Sequence, residues 1–521
     1  MKLAHLTSLF VFAGLAAVAS PGCSGGTPVR VDTLRLQVDL DKTAKIGTRT
    51  ARLPISLSTA VDFPVAVSAL RLDGTVDSTF NGEVRLSVKP GSVQAVSGAN
   101  SAGRNVKLVN GIASGVVVSL LGAFGDARVI ADDLGYVPAD PLRKPPPACS
   151  NGVDDDGDGL IDFPADPGCA FGNDDTETGG TYTAGASGAI HFAYPRISDV
   201  RGLPLGGGST AYPNQQVQMN TGWNTDDPSK CPKGKFPCFV FNTVVTRIAG
   251  DGFYATDVDA QAATGYASVF AYNFSPPPDM RVCDRLKGFG GTSSDFFGFT
   301  EINYPTWELD QWDPNLRPCG VPEPHILTVF EVGDTVTLLK NTAALVRVQT
   351  SPLLDVHVAA KFGPGTPKCN LIDAAKDVWT CAIGDEATNC DLNKDGKVDF
   401  SKNPEKTCAA TCAADSGKEC TEFSDYLGRG NFGLVMKDLN NAIGVVQANG
   451  LAANNFDAHA LRGKTIGAFT GTLRYFSGGS QFTLEARCDA DIVVDPSKKP
   501  LPSDQACVFP RTFNDSNDTS H

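Results

Sequence analysis

Histidine, methionine and tryptophan are scarce in this 521-residue chain, with six, four and four copies. The histidines stand singly, at His5, His191, His325, His357, His459 and His521. No H-E-x-x-H, G-x-S-x-G or nucleophilic-cysteine setting occurs, and no cysteine pair has the C-x-x-C spacing of a zinc site. Past the N-terminus no apolar run approaches 18 residues, so no transmembrane helix is expected. Charged residues are only 20%, and acids outnumber bases 58 to 44, for a net charge of −14. With the bases dispersed, nucleic acid is not the favoured partner, because dedicated binders show a basic stripe. Gly428-Arg429-Gly430-Asn431-Phe432-Gly433 has a glycine-rich spacing, but no His-Arg-Asp or Asp-Phe-Gly follows it. It reads as a loop entering a strand, and no enzyme is expected.

What is abundant is punctuation and cysteine: 54 Gly, 34 Pro and 15 Cys. That composition fits an exported, mainly β chain, and its length predicts three or four domains. Residues 1–22 read as a signal peptide, with Lys2 ahead of an apolar run from Leu6 to Ala19. The segment Ser20-Pro21-Gly22-Cys23 resembles a bacterial lipobox, although Ser20 stands where that family prefers Leu. The resemblance implies lipid on Cys23, a short linker over 23–30 and a membrane anchor; plain cleavage and release is the competing reading. Removing Cys23 leaves 14 cysteines for seven bridges. Their grouping suggests Cys149 with Cys169, Cys231 with Cys238, Cys283 with Cys319, and Cys488 with Cys507. The other six (Cys369, Cys381, Cys390, Cys408, Cys412, Cys420) leave 15 connectivities open, and buried free thiols are the alternative.

One stretch organises the rest. Between Cys149 and Glu177 lie nine acids and no Lys or Arg. Asp154, Asp156 and Asp158 alternate, Gly159 follows, and Asp162 occupies the ninth position of a D-x-D-x-D-G-x-x-D loop. Alternate carboxylates converge on one ion only if the backbone curls around it; the carbonyl of Leu160 would add an oxygen. Such a cluster repels itself unless a cation sits inside it, and a solvated acidic linker is the competing reading. A Cys149–Cys169 bridge would close the segment, worth about 3 kcal/mol in the chain-entropy model. Position twelve is Ala165, not Glu, so the loop resembles the thrombospondin type 3 style of calcium loop found in surface lipoproteins of Gram-negative bacteria. The resemblance implies structural Ca²⁺ over 149–178. A second loop, Asp391, Asn393, Asp395, Lys397 (through its carbonyl) and Asp399, resembles an EF-hand or dockerin loop. Lys402 stands there where an acidic ligand is usual, and an Asx-rich turn is the alternative.

The flanking segments read as strands. Over 31–140, Leu34, Leu36, Val38 and Leu40 alternate, as do Phe63, Val65, Val67 and Ala69, then Val84, Leu86 and Val88, with Asn81-Gly82 and Asn110-Gly111 as hairpin signals. The run from Phe63 to Val88 resembles bacterial immunoglobulin-like domains and implies a β-sandwich. "PADPLRKPPPACS" reads as a stiff link into the acidic loop. The order of strands and Gly-rich turns over 180–322 resembles OB-fold domains beside the catalytic domain of secreted bacterial nucleases; no nuclease domain with its metal-binding His and acids accompanies it. The order repeats over 323–495 around a Cys-rich insertion at 365–425, leaving a tail at 496–521. Phe253, Tyr254, Phe270, Tyr272, Phe296, Phe297, Phe299, Tyr304 and Trp307 could stack bases or sugars, with core packing the competing reading. The expected protein is a non-catalytic, calcium-stabilised surface lipoprotein of a Gram-negative bacterium whose partner is an envelope protein or an extracellular polymer. An extracellular polysaccharide or nucleic-acid binder is the alternative.

Overall fold

The structure is a computed structural model that describes residues 35–508, except 72, 99, 135–143, 170, 178–181, 207–208, 352–353, 360–369, 374–377, 381–430, 454, 457, 459–460, 462–463 and 477–480. It is mainly β, with 42% strand and 9% helix. Among the described residues no helix is long and apolar enough to cross a membrane. Cys23, the loop Asp391–Asp399 and most of the Cys-rich insertion lie outside the described residues.

The first unit places one sheet on another. β1 (Arg35–Leu40), β2 (Val61–Leu70), β3 (Glu83–Lys89), β4 (Ser92–Ser97), β5 (Ser101–Ala102), β6 (Asn105–Lys107), β7 (Ile112–Leu121) and β8 (Asp126–Asp133) follow in order. One sheet runs β1-β2-β7-β4; the other is built on β8-β3-β6-β5. Alternation decides the packing: Phe63, Val65, Val67 and Ala69 on β2 face Val84, Leu86 and Val88 on β3, all buried in one core. Asn110 and Gly111 take φ of 51° and 78°, the paired left-handed geometry of a tight turn. Asn81-Gly82 is not a hairpin turn. The Asn81 side chain instead accepts the Asn110 amide at 2.9 Å and holds the entry to β3.

The sandwich does not end near residue 140. After the acidic segment the chain returns as β9 (Gly185–Ala186) and β10 (Ile190–His191), both antiparallel to β8. Tyr182, Ile190 and Phe192 enter the sandwich core. Residues 149–177 are therefore an excursion from within the first unit, not a hinge leading out of it.

Two further sheets follow. β11 (Gln215–Gln218) lies against β17; β12 (Trp223–Asn224) and β13 (Cys238–Phe239) form a small ribbon. β14 (Thr243–Ala249), β15 (Gly252–Asp257), β16 (Ser268–Tyr272), β17 (Arg285–Phe296) and β18 (Phe299–Asp310) make a ring. Its order is β14-β15-β16-β18-β17 and back to β14, with β16 and β18 parallel.

The second sheet has β19 (His325–Ile326), β20 (Leu345–Gln349) and β21 (Leu354–Ala359); β22 (Asn370–Asp373) and β23 (Val378–Thr380) pair inside the insertion. β24 (Asn431–Asp438), β25 (Ile443–Asn449), β26 (Ala468–Phe476), β27 (Gln481–Glu485) and β28 (Ile492–Val493) complete it. The path β20-β26-β27-β25-β24-β21, with β25 and β27 parallel, repeats the first ring's order if β20 and β21 count as one bent strand. The glycine-rich stretch at 428–433 leads into β24, where Phe432, Leu434 and Met436 are buried.

The two rings are packed together by apolar clusters and by buried cations. Tyr254, Phe270, Phe299 and Ala343 share one cluster, and Val244, Val282, Val321 and Leu345 another. Arg247 on β14 reaches Glu485 on β27 at 2.7 Å. Arg201 donates to the carbonyls of Ser268, Leu339 and Thr342, and desolvation lowers it to about 10. The segment after β28 is not a free tail as far as it is described: Ser503 is buried and donates to Glu323 at 2.9 Å.

Candidate functional site

The acidic excursion is closed by Cys149–Cys169; the bridges Cys231–Cys238, Cys283–Cys319 and Cys488–Cys507 also form. Within the excursion, carboxylate oxygens of Asp154, Asp156 and Asp158 lie within 4.8 Å of one another. The turn that brings them together is built by the carboxylates themselves. Asp154 accepts the amides of Gly157 and Gly159 at 2.7 and 3.0 Å, and Asp158 accepts that of Leu160 at 2.8 Å. Gly159 takes a φ of 90°, which a side chain would strain. For Asp156, the Asp158 amide holds the carboxyl down, yet desolvation and the neighbouring charges of Asp158, Asp166 and Asp154 outweigh it and raise it above the ordinary range. The donors are all oxygen and anionic, the set that suits Ca²⁺, and they fit a single hard cation.

Asp162, expected as the fourth carboxylate of the loop, is not grouped with the other three. It stands outside the converging group, with a φ of 55°, and its carboxylate caps the amides of Asn151 and Gly152 at 3.0 and 2.9 Å. Capping these amides ties the neck of the loop. Three acids of the excursion that the spacing did not single out are buried, Asp166, Asp174 and Glu177. Glu177 accepts the amides of Asp155 and Asp162 at 2.5 and 3.1 Å, bracketing the loop from below. The Cys149–Cys169 bridge was legible in the cysteine grouping, but the return of the chain onto the sandwich at β9 and β10 was not. The excursion is docked on the sandwich by Asp175, which accepts the Glu83 amide at 2.8 Å, and by Asn173, which donates to the Leu134 carbonyl.

The nine aromatics divide between core and surface, with Tyr272 and Trp307 half-buried. Phe253, Tyr254, Phe270 and Phe299 are buried, and Trp307 packs on the first ring's core. Phe296, Phe297 and Tyr304 are exposed. Phe274, two residues past the end of β16, is 62% exposed and Tyr304 69%. Tyr272, Phe274 and Tyr304 form a contiguous cluster, with ring centroids 4.5 and 5.5 Å apart in sequence. Phe274 and Tyr304 hold φ of 58° and 51°, a left-handed backbone uncommon for bulky side chains.

A cleft between the sandwich and the first ring is lined by Phe124, Asp126, Tyr194 and Gln216. Its carboxylate is already engaged, since Asp126 takes Arg52 at 2.9 Å and His191 at 2.8 Å. No protein family, curated protein or solved structure matches this chain.

Proposed function

We propose that the chain is a non-catalytic, calcium-stabilised lipoprotein of a bacterial cell surface that presents two OB-like barrels as binding domains behind an immunoglobulin-like sandwich. The shared ring order, with its parallel third and fifth strands, supports the OB-like reading of both units. Calcium held by Asp154, Asp156 and Asp158, with the Leu160 carbonyl, would fix the excursion on the sandwich. The lipobox-like Cys23 would anchor the chain, and Cys23→Ala should release it from membranes. The second loop, Asp391 to Asp399, is read as a further structural calcium site.

The observation that carries the binding role is the Tyr272–Phe274–Tyr304 cluster, in which Phe274 and Tyr304 are exposed. A monomer gains nothing by strained backbone that holds aromatic rings in water, whereas a ligand with flat apolar faces does. The same cluster favours an extracellular polymer as partner, and the net charge of −14 favours uncharged polysaccharide over nucleic acid. The test is affinity electrophoresis of the mature chain through gels containing neutral polysaccharides. Retardation lost in Phe274→Ala and Tyr304→Ala is expected. Unretarded wild-type protein in every gel would remove the polymer reading and leave an envelope protein as partner.

A further inference from the structure

Two carboxylates lie inside the acidic excursion with no cation of their own. Asp166 is 1% exposed and Glu177 2%. An oxygen of each lies within 4.8 Å of the other and of the Cys169 sulfur. That sulfur is spent in the Cys149–Cys169 bridge, so the available donors are the oxygens. Oδ1 of Asp166 accepts the Gly168 amide at 2.6 Å, while Oδ2 is buried with no hydrogen-bond partner. Glu177 accepts only backbone amides, from Asp155 and Asp162. Neither acid forms an ion pair among the described residues.

The two groups cannot move apart. The turn bearing Asp166 is held by the disulfide and seated on Glu177: a Cβ on Gly168 would fall 1.6 Å from the Glu177 carbonyl oxygen. Adjacent buried like charges are unfavourable unless a cation lies between them or one is neutralised by a proton. The unpartnered Oδ2, the rigid seat and the absence of any Lys or Arg from 149 to 177 favour the cation.

We propose that Asp166 and Glu177 hold an internal divalent cation, calcium by the all-oxygen donor chemistry, at a site separate from the exposed Asp154–Asp156–Asp158 loop. Through Glu177, which also caps two amides of that loop, the inner ion sets the outer loop's shape. The inner site does not require that the outer loop bind anything.

The experiment counts ions. The mature full-length chain is stripped with EGTA, and bound Ca²⁺ is measured by equilibrium dialysis for wild type, Asp166→Asn, Glu177→Gln, Asp156→Ala and Asp156→Ala/Asp166→Asn, with circular dichroism confirming the fold of each. Each single variant should lose one ion per chain and the double variant two. In EGTA, Asp166→Asn should melt above wild type, because the amide relieves the repulsion, and its melting should lose the increment that the inner ion supplies. An undiminished ion count in both Asp166→Asn and Glu177→Gln overturns the site, and so does a double variant that loses only the ion already lost in Asp156→Ala. If Asp166→Asn loses an ion and Asp156→Ala none, the outer-loop reading fails and the inner site stands.

Discussion

Two of the regions that bury acids in this molecule treat them oppositely. Between the rings, Glu485 is matched by Arg247 at 2.7 Å and Arg474 at 3.6 Å. Nearby, Asp491 takes two bonds from the Arg487 guanidinium, at 2.8 and 2.9 Å, with both side chains fully buried. In the acidic excursion, Asp166 and Glu177 are as deeply buried with no base near in sequence. Where the chain carries its own cation, the interface is indifferent to metal. On the proposed inner site the excursion takes its cation from solution, and order there should depend on what solution contains.

The sharpest way to break the comparison is to remove a built-in cation. Arg487→Ala leaves Asp491 buried and strips the bond to the Thr246 carbonyl that links the rings. Loss of one partner of a buried pair costs about 3–5 kcal/mol. The melting temperature should fall sharply, and equally in calcium and in EGTA. A drop seen only in EGTA would mean the two regions are coupled. Arg247→Ala should cost less, because Arg474 remains beside Glu485.

Glu301 tests an intermediate case on the ring interface, a buried acid with a base nearby but not bonded to it. Burial raises it to about 7, and the charge of Arg474 only partly opposes this. Its Oε1 is buried without a hydrogen-bond partner. The folded chain thus keeps a proton that the unfolded chain, with an ordinary glutamate near 4.5, gives up. Stability from this group is fully present below pH 4.5 and is lost as pH rises through about 7. Glu301→Gln should flatten the fall in melting temperature between pH 5 and 8, whereas parallel wild-type and variant curves would refute the assignment.

A smaller, local effect is expected at the loop. EGTA, or Asp156→Ala, should speed protease cleavage within 149–177 while the rings stay intact, since Cys149–Cys169 keeps the excursion closed. Mg²⁺ should rescue poorly because it demands tight octahedral geometry. Cleavage rates equal with and without calcium would return the segment to a plain acidic linker.

These tests also mark what spacing alone can reveal. Alternation exposed β2 and β3 because one face of each is wholly buried, whereas the closing of strands into rings joins segments far apart in sequence and shows in no local pattern. The return of the chain at β9 and β10 was hidden, since two-residue strands in a Gly- and Ala-rich segment carry no period. Arg247 and Glu485 lie 238 positions apart, so no local pattern joins them. At the acidic loop the converging acids were visible, but the capping of amides by Asp162 and the burial of Asp166 and Glu177 depend on how the segment folds back and docks. Phe274 continues the alternation of Phe270 and Tyr272, and its exposure comes from β16 ending at Tyr272.

Asp175 gives the smallest and most discriminating effect. By position it is peripheral to the loop, and spacing alone predicts that Asp175→Ala changes little. Its carboxylate, however, accepts the Glu83 amide at 2.8 Å, at the start of β3. A Cβ on Gly82, the residue before, would already lie 3.4 Å from the Asp175 Cβ, so the excursion sits close on the strand. A hydrogen bond to a charged acceptor contributes about 1.5–3 kcal/mol, less where water can replace it, so a loss of about 1 kcal/mol is expected. The bond joins the excursion to the sandwich and touches neither group of converging carboxylates. Asp175→Ala should therefore lower the melting temperature slightly in calcium and in EGTA alike, and leave the number of bound ions unchanged. A lost ion would instead place Asp175 among the ligands, and the boundary between metal-held and protein-held acids would move to the edge of β3.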